Sequence, residues 1–193
     1  MKNKLTRIFD IFISILILVI LFPLIVIISI LIFVFDGRPV IFKQIRIGYR
    51  GKKFQIFKFR TMKNNFLKNE NLRLTWFGKI LRRLSLDEIP QFINVIKKDM
   101  SIVGPRPLPE VNEKKIKKTL RKKRRDVLPG ITGLSQINYT SKFRKLDDKV
   151  KLDIKFIKNY SLYNYFKILL NTTIVLIIRF IYNTFIFIFS FSN

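Results

Sequence analysis

One long apolar segment restricts the possible folds of this chain more than any other feature. Residues 11–35 read IFISILILVILFPLIVIISILIFVF, 25 positions without a charged side chain, with Asp10 and Asp36 at the two ends. A straight helix of this length would span about 37 Å, against about 30 Å of bilayer hydrocarbon. The segment is too long for a secretory signal peptide, and no small-residue cleavage site follows it. It therefore predicts a membrane helix.

Two details argue against a straight span. Pro23 lies near the middle of the segment, where it removes an intrahelical hydrogen bond and kinks the helix. Basic residues, which mark the cytoplasmic side of a membrane, flank the segment on both sides: Lys2, Lys4 and Arg7 before it, and Arg38, Lys43, Arg46, Arg50, Lys52 and Lys53 after it. A helix that bends at Pro23 and leaves by the face it entered satisfies both flanks. We predict this re-entrant hairpin, with a tilted single span as the alternative.

A second apolar segment, residues 168–191, is less uniform. Polar residues interrupt or border it near a spacing of four: Lys167, Asn171, Arg179, Asn183 and Thr184. Such a broken polar stripe favours a helix that lies in the membrane interface. The alternative is a spanning helix whose Arg179 reaches toward the lipid head groups.

Composition restricts both the partners and the chemistry. The 193 residues suit one domain, and 38 Lys and Arg against 12 Asp and Glu give a formal net charge of +26. The partner must therefore be anionic: nucleic acid, lipid head groups or phosphorylated substrates. The absence of cysteine and histidine excludes disulfides, thiol nucleophiles and imidazole acid–base catalysis. Any reaction relies on carboxylates, lysines, hydroxyls or a hard metal ion.

The residues between the two apolar segments predict short helices and a small hairpin. FKQIRIG and KKFQIFKFR flank the turn GYRG, and their basic residues alternate with Phe, Ile and Gln as on one face of a ribbon: Lys43, Arg46, Lys58 and Arg60. A solvated strand face is the simpler interpretation of that pattern. Helical spacing covers residues 71–84 and about 89–98. SIVGPRPLPE, residues 101–110, is expected to be irregular because its prolines remove hydrogen-bond donors.

Two charged surfaces follow in the sequence. Residues 114–125 hold nine basic side chains in twelve positions, which is typical of a solvated helical face. Beside a bilayer such a face also binds anionic head groups, and a nucleic-acid-binding tail has the same composition. Asp147 and Asp148 lie among lysines and predict a surface helix with salt bridges.

Asp87 and Glu88 form the other adjacent acidic pair, in the stretch LSLDEIPQF. Ser85 and Glu88 have the spacing of a capping box, so the pair can simply begin a helix. Pro90 argues against this interpretation, because it disrupts a helix that begins at Ser85. We expect the regular helix to begin near Pro90, with both acids just outside its N-terminus and kept ionised by the helix dipole.

An ionised carboxylate at such a place can act on phosphate groups. One carboxylate can attack phosphorus, and its neighbour can hold Mg²⁺, whose hard oxygen chemistry matches diphosphates. Arg106 follows in GPRP, where the prolines stiffen the backbone, and offers a planar two-pronged donor to phosphate oxygens.

Three sequence blocks carry a family resemblance. FKQIRIGYRGKKFQIFKFRTM, LSLDEIPQFINVIKKDMSIVGPRPLPE and PGITGLSQI resemble, in order, the signature blocks of the bacterial sugar transferases, the monotopic polyprenyl-phosphate phosphoglycosyl transferases. The resemblance covers roughly residues 5–170 and is to the short, minimal members. Two positions depart from the family pattern. Phe22 precedes the helix-breaking proline where a serine is common, and Leu128 precedes PGITG where an arginine is common.

The resemblance implies an enzyme of the bacterial cytoplasmic membrane with its catalytic region on the cytoplasmic face. It would transfer a sugar 1-phosphate from a UDP-sugar to undecaprenyl phosphate and release UMP, the first membrane step of surface polysaccharide or glycoconjugate synthesis. Asp87 would be the nucleophile that forms an aspartyl-phosphosugar intermediate, and Glu88 would assist with Mg²⁺, the pair forming the metal site. The implied phosphate-binding residues are Lys58, Arg60 and Arg106, and Pro23 is the membrane kink.

The expected fold is α+β: a mainly helical monotopic membrane protein with an N-terminal re-entrant helix, a small β-hairpin and interfacial amphipathic helices. Residues 1–36 would be the membrane helix, 37–165 the catalytic region of the same domain, and 166–193 the interfacial segment. The expected partners also include anionic inner-leaflet lipids and glycan-assembly enzymes, without nucleic acid. The alternatives are a non-catalytic basic membrane scaffold and a protein that binds anionic lipid or nucleic acid. The sugar and the glycan pathway stay open.

Overall fold

The N-terminal apolar segment forms two helices, α1 (Lys4–Ile20) and α2 (Phe22–Asp36), bent by 62° relative to each other. Pro23 lies in the first turn of α2, where its missing N–H leaves no intrahelical hydrogen bond unmade. The predicted kink at this proline is therefore confirmed. Together the two helices are long and apolar enough to be a broken span or a re-entrant loop.

The structure is a computed structural model, and it describes residues 4–63, 73–138 and 145–189. The described part is mainly helical with two small sheets. After α2 the helices are α3 (Trp76–Arg83), α4 (Gln91–Ile96), α5 (Glu110–Lys114), α6 (Lys118–Arg124), α7 (Leu134–Ile137), α8 (Leu146–Lys158) and α9 (Leu162–Phe189). The strands are β1 (Ile41–Ile47), β2 (Lys53–Phe59), β3 (Ser101–Val103) and β4 (Gly130–Thr132). The domain boundaries at residues 36 and 165 stay a prediction.

Both ends of the bent pair are tied to the rest of the protein by polar contacts. Near the start of α1, Asp10 accepts hydrogen bonds from Ser101 Oγ at 2.7 Å and from Tyr165 Oη. At the end of α2, Asp36 accepts one from Thr75 Oγ1 at 2.9 Å. The two acids that bound the apolar segment therefore anchor it. Large apolar side chains of the pair remain exposed on its outer side, among them Leu5, Ile8, Phe12, Val19, Phe22, Ile27, Ile30 and Val34.

The predicted hairpin is confirmed, but the predicted single basic face is wrong. β1 and β2 pair antiparallel, with Ile41 opposite Phe59 and Ile47 opposite Lys53. Side chains alternate between the two faces of a strand, so Lys43 lies on the face opposite Arg46 and Lys58. Only the last two point toward the same side of the ribbon.

The stretch predicted to be irregular contains a strand. β3 pairs in parallel with β4, which puts Ser101 opposite Gly130. The prolines begin only at position 105 and leave the first three residues free to pair. A Cβ on Gly130 would lie 2.1 Å from Gly104 N, so the two backbones approach as closely as glycine permits. This contact fixes the start of the Gly104–Pro107 loop.

The C-terminal apolar segment forms one long helix, α9. Its part Leu162–Tyr182 is long and apolar enough to cross a membrane, and only a small share of it is buried. Tyr165 and Ile168 on its inner face are buried against the body, and Thr172 Oγ1 lies 2.8 Å from Thr132 Oγ1. Farther along the helix, Arg179 Nη1 donates to Ser85 Oγ at 3.0 Å. The helix therefore runs along the body of the protein.

Most other predicted helices are present, with shorter bounds. α3 lies inside the stretch 71–84, of which residues 71 and 72 fall outside the described part. The salt-bridged surface helix around Asp148 is α8, where Lys151 Nζ lies 3.5 Å from that carboxylate. The basic run forms α6, but its last residue, Arg124, is buried rather than solvated.

Candidate active site

The acidic pair lies on a short 3-10 turn, Leu86–Glu88, between α3 and α4. Ser85 has a φ of 60° and its side chain makes no capping hydrogen bond, so the capping-box interpretation is wrong. Pro90 is the N-cap residue of α4, and the prediction that the regular helix begins there is confirmed. Asp87 is buried and Glu88 partly buried, and each projects from the turn rather than from a solvated helix.

Two of the predicted phosphate-binding residues converge on this turn from distant parts of the chain. Lys58 Nζ, on β2, lies 2.6 Å from Glu88 Oε1 and 3.7 Å from Asp87 Oδ2. Arg106, on the proline-rich loop, donates from Nη2 to the same Glu88 oxygen at 2.8 Å. Both cations therefore share one carboxylate oxygen, and no described hydrogen bond reaches Glu88 Oε2.

The two neighbouring carboxylates differ in acidity. Burial disfavours ionisation of Glu88, but the charges and hydrogen bonds of Arg106 and Lys58 outweigh it and lower the pKa of Glu88 to about 2. Burial also dominates at Asp87, where it raises the pKa above the ordinary value, and the Glu88 charge acts in the same direction against Lys58. The environment thus separates the pKa values of the pair, an arrangement typical of active sites.

This result corrects the expectation that the helix dipole keeps both acids ionised. α4 has only six residues, so its dipole contributes little, and the Asp87 side chain is only 10% exposed. Removal of the carboxylate from water decides the direction of the pKa shift at Asp87. An acid with a raised pKa is also the more nucleophilic one once it is ionised.

Arg60 does not join the cluster around the acids. Its guanidinium is buried and donates to the main-chain carbonyls of Asp36, the last residue of α2, and of Gly37 and Arg38 just after it. A cation at this place satisfies carbonyls that a helix C-terminus leaves without partners. The structure thus places Arg60 where it holds α2 against the hairpin.

Arg46 is a site residue that the sequence reasoning did not assign. It shares the hairpin face of Lys58, donates from Nη1 to the Pro107 carbonyl at 3.3 Å, and has a buried Nε without a hydrogen-bond partner. Burial and the nearby Arg106 charge lower the pKa of Arg46 to about 10. Two guanidiniums held close together in this way indicate a site for an anion. The sequence could have identified Arg46, because pairing the two predicted strands around the turn puts Arg46 and Lys58 on the same face of the hairpin.

The loop that carries Arg106 is held from behind by Arg124. This buried guanidinium donates from Nη2 to the Arg106 carbonyl at 2.8 Å, from Nη1 to Glu113 Oε1 at 2.9 Å, and from Nε to Asp153 Oδ2 at 3.0 Å. The carbonyl contact acts directly on the backbone that presents the Arg106 side chain to Glu88. Arg124 is therefore a positioning residue rather than a contact residue.

The acidic pair also fits a divalent cation of the hard type. Mg²⁺ is bound in proteins by one or two carboxylates together with phosphate oxygens and water, not by an all-protein cage. No group of three or more acidic, His or Cys side chains that could hold a metal occurs among the described residues. Asp87 and Glu88 are adjacent, and Glu88 Oε2 has no hydrogen bond from the described residues.

Comparison with known sequences places this architecture in a family. The sequence profile described as "Bacterial sugar transferase" matches residues 1–179. The chain belongs to the bacterial sugar transferase family. The predicted family and enzyme class, a sugar-phosphate transferase, are therefore confirmed.

Several relatives of this sugar transferase carry more specific names. It is 44% identical over 144 residues to the uncharacterized sugar transferase EpsL of Bacillus subtilis. The matched region covers 69% of the chain and 67% of EpsL. It is 37% identical over 186 residues to the UDP-glucose:undecaprenyl-phosphate glucose-1-phosphate transferase of Escherichia coli. This matched region covers 89% of the chain and 40% of that relative. A third match, 36% identical over 152 residues, is the UDP-N-acetylgalactosamine-undecaprenyl-phosphate N-acetylgalactosaminephosphotransferase of Aeromonas hydrophila, covering 73% of the chain and 36% of the relative.

Proposed function

We propose that the protein transfers a sugar 1-phosphate from a UDP-sugar to undecaprenyl phosphate and releases UMP. The observation that carries the proposal is the cluster of Asp87, Glu88, Lys58 and Arg106, in which one carboxylate is ionised by two cations and its neighbour is buried. Relatives named for UDP-sugar donors and an undecaprenyl-phosphate acceptor support these substrates. The relatives differ in their sugar, so the donor sugar is left to experiment.

The first step uses Asp87 as the nucleophile. An oxygen of its carboxylate attacks the β-phosphorus of the UDP-sugar, the bond from that phosphorus to the bridging oxygen breaks, and UMP leaves with the bonding electrons. The sugar phosphate stays on Asp87 as an acyl phosphate. Burial of Asp87 favours this step because a carboxylate held away from water needs less desolvation before it attacks.

The second step returns the enzyme to its starting form. An oxygen of undecaprenyl phosphate attacks the same phosphorus, the bond from phosphorus to Asp87 breaks, and the carboxylate is regenerated. The product is a sugar on undecaprenyl diphosphate. Neither step needs a thiol or an imidazole, in agreement with a chain that has no cysteine or histidine.

The cations around the pair would stabilise the phosphoryl group during both steps. Phosphoryl transfer depends mostly on positioning and on neutralising oxygen charge. Lys58 and Arg106 converge on Glu88 from two elements, and Arg46 lies beside Arg106 on the hairpin face of Lys58. We assign these three residues to the diphosphate, with Glu88 holding Lys58 and Arg106 in place until the substrate arrives.

We also propose that Asp87 and Glu88 bind Mg²⁺ together with the donor diphosphate. The ion, when bound, supplies charge neutralisation at the phosphate oxygens. Glu88 suits this role because its low pKa keeps it ionised across the physiological pH range. Its Oε2 atom is the one that the described hydrogen bonds leave available.

We further propose that the protein is monotopic, on the cytoplasmic face of the bacterial membrane. Asp10 near the start of the bent pair and Asp36 at its end both contact the same body, which a re-entrant helix allows and a straight span does not. α9 contacts the body from Tyr165 to Arg179, about 21 Å of helix length, in support of a helix lying along the interface. The basic surface of the protein would face anionic inner-leaflet lipids. Glycan-assembly enzymes are the expected partners.

The test is UMP release by the purified protein in detergent with Mg²⁺, undecaprenyl phosphate and a panel of UDP-sugars. We expect UMP with at least one sugar, none from Asp87→Asn, and unchanged release from Asp147→Asn, which neutralises an exposed carboxylate on α8. Incubation with a radioactive sugar donor but no acceptor should leave label on the wild-type protein only. A broad panel without UMP above the Asp87→Asn background would favour a non-catalytic scaffold.

A further inference from the structure

Arg179 is the only charged residue in the apolar segment 168–191. It lies on the inner side of α9 and is partly buried, while its neighbours Ile178 and Phe180 are 60% and 58% exposed. Its Nη1 atom donates to Ser85 Oγ at 3.0 Å, and no ion pair of the described residues includes it. A guanidinium at an apolar surface with only a neutral hydroxyl as partner is costly and calls for an anion.

The position of this guanidinium relative to the acidic pair limits which anion it can serve. Ser85 immediately precedes the turn Leu86–Glu88, so Arg179 reaches the active-site turn from the side of the apolar helix. An anion bound beside Arg179 and Ser85 would therefore lie close to Asp87, two residues farther along the chain.

The surface of α9 near Arg179 is apolar and exposed, as a surface that binds an apolar chain would be. On α9 the large apolar side chains that are exposed run through the same stretch: Leu170, Ile174, Leu176, Ile177, Ile178, Phe180 and Ile181. A ligand that matches the arrangement has a long apolar chain and one terminal phosphate. The arginine offers five N–H donors and the serine hydroxyl one more, so both can bond a phosphate that lies beside the pair.

We propose that Arg179 and Ser85 bind the phosphate of the lipid acceptor, a phosphomonoester on a polyprenyl chain that lies along the exposed apolar surface of α9. The inference rests on the proposed function for the identity of the acceptor. It adds a second phosphate site, distinct from the diphosphate cluster of Lys58 and Arg106. The acceptor phosphate would then approach Asp87 from the membrane side, while the donor occupies the hairpin side.

The test measures binding directly, without turnover. Farnesyl phosphate and the uncharged farnesol are titrated into the detergent-solubilised full chain, and the affinity ratio reports recognition of the phosphate. We expect Arg179→Gln to reduce that ratio by about tenfold or more, because a charge-assisted two-pronged contact is lost. Arg179→Lys keeps the charge and should retain part of the ratio. Lys167→Gln is the matched control, since it removes one exposed cation from the same helix.

The other outcomes each overturn the proposal. An unchanged ratio in Arg179→Gln would leave the guanidinium a contact to Ser85 only. An equal loss in Arg179→Gln and Lys167→Gln would indicate diffuse attraction of anionic amphiphiles. Competition by phosphatidylglycerol as strong as by farnesyl phosphate would identify a head-group site instead of an acceptor site. Thermal unfolding of each variant separates loss of binding from loss of fold, and a positive result stands even if no UDP-sugar yields UMP.

Discussion

Arg124 Nη2 donates a hydrogen bond of 2.8 Å to the main-chain carbonyl of Arg106. The same guanidinium is 4% exposed and pairs with Glu113 and Asp153, so a residue from the most basic stretch of the chain is among its most buried charges. The contact ties α6 to the loop that presents Arg106 to Glu88. The buried ionic network and the position of Arg106 are therefore linked at this residue.

The variant Arg124→Gln is expected to be strongly destabilised. Removal of one partner from a buried ionic network costs about 3–5 kcal/mol, because Asp153 is left as a buried charge, whereas Glu113 keeps its contact with Arg125. Chemical denaturation in detergent measures the difference. Lys123→Gln, an exposed change on the same helix, should unfold like the wild type. Equal stability of the two variants would contradict the buried network.

Lys58→Gln should move the acid limb of the activity profile to higher pH. In the proposed mechanism Asp87 attacks in its ionised form. Burial raises the pKa of Asp87, and the charge of Lys58 lowers it. Without that charge the pKa of Asp87 rises further, so a larger fraction is protonated at a given acidic pH. The pH dependence of kcat/KM measures the shift. Lys43→Gln, on the opposite hairpin face, should leave the limb in place, and a shift of equal size in both variants would refute the local interpretation.

Arg46→Gln is expected to separate binding from stability. Burial and the neighbouring Arg106 charge both disfavour the Arg46 cation, as its pKa of about 10 indicates, so its removal should not destabilise the fold. If Arg46 contacts the donor diphosphate, KM for the UDP-sugar should rise by about tenfold in the variant, because one charge-assisted hydrogen bond is lost.

Initial rates and thermal unfolding of Arg46→Gln test both expectations, with Lys52→Gln at the exposed end of the hairpin as the control. An unchanged KM would remove Arg46 from the substrate site. A large drop in stability would assign it a structural role instead.

The re-entrant arrangement can be tested by labelling, because the chain has no cysteine of its own. We expect Lys2→Cys and Lys52→Cys to react with a membrane-impermeant maleimide in inside-out vesicles and not in intact cells. Asn193→Cys should follow the same pattern if α9 lies in the interface. Labelling of positions 2 and 52 from opposite faces would show a span, and labelling of position 193 alone from outside would show that α9 crosses the membrane.

Much of the local structure and the identity of the acidic pair follow from the sequence by itself. Pro23 and Pro90 act through their own missing N–H groups, so the bend and the start of α4 depend on neighbouring residues only. The β1–β2 hairpin is equally local, because its turn joins adjacent strands. The resemblance of the three sequence blocks was sufficient to predict the family.

The tertiary structure decided which of the many basic side chains serve the site. Lys58 and Arg106 approach Glu88. Arg60 instead caps α2, and Arg124 enters a buried ionic network. All four are basic side chains, and the sequence alone does not distinguish their roles. The β3–β4 pairing and the contact of Arg179 with Ser85 likewise join residues far apart in the chain. A guanidinium has the same local propensities in each setting, and only the packing around it determines whether it meets a carbonyl, a carboxylate or a substrate.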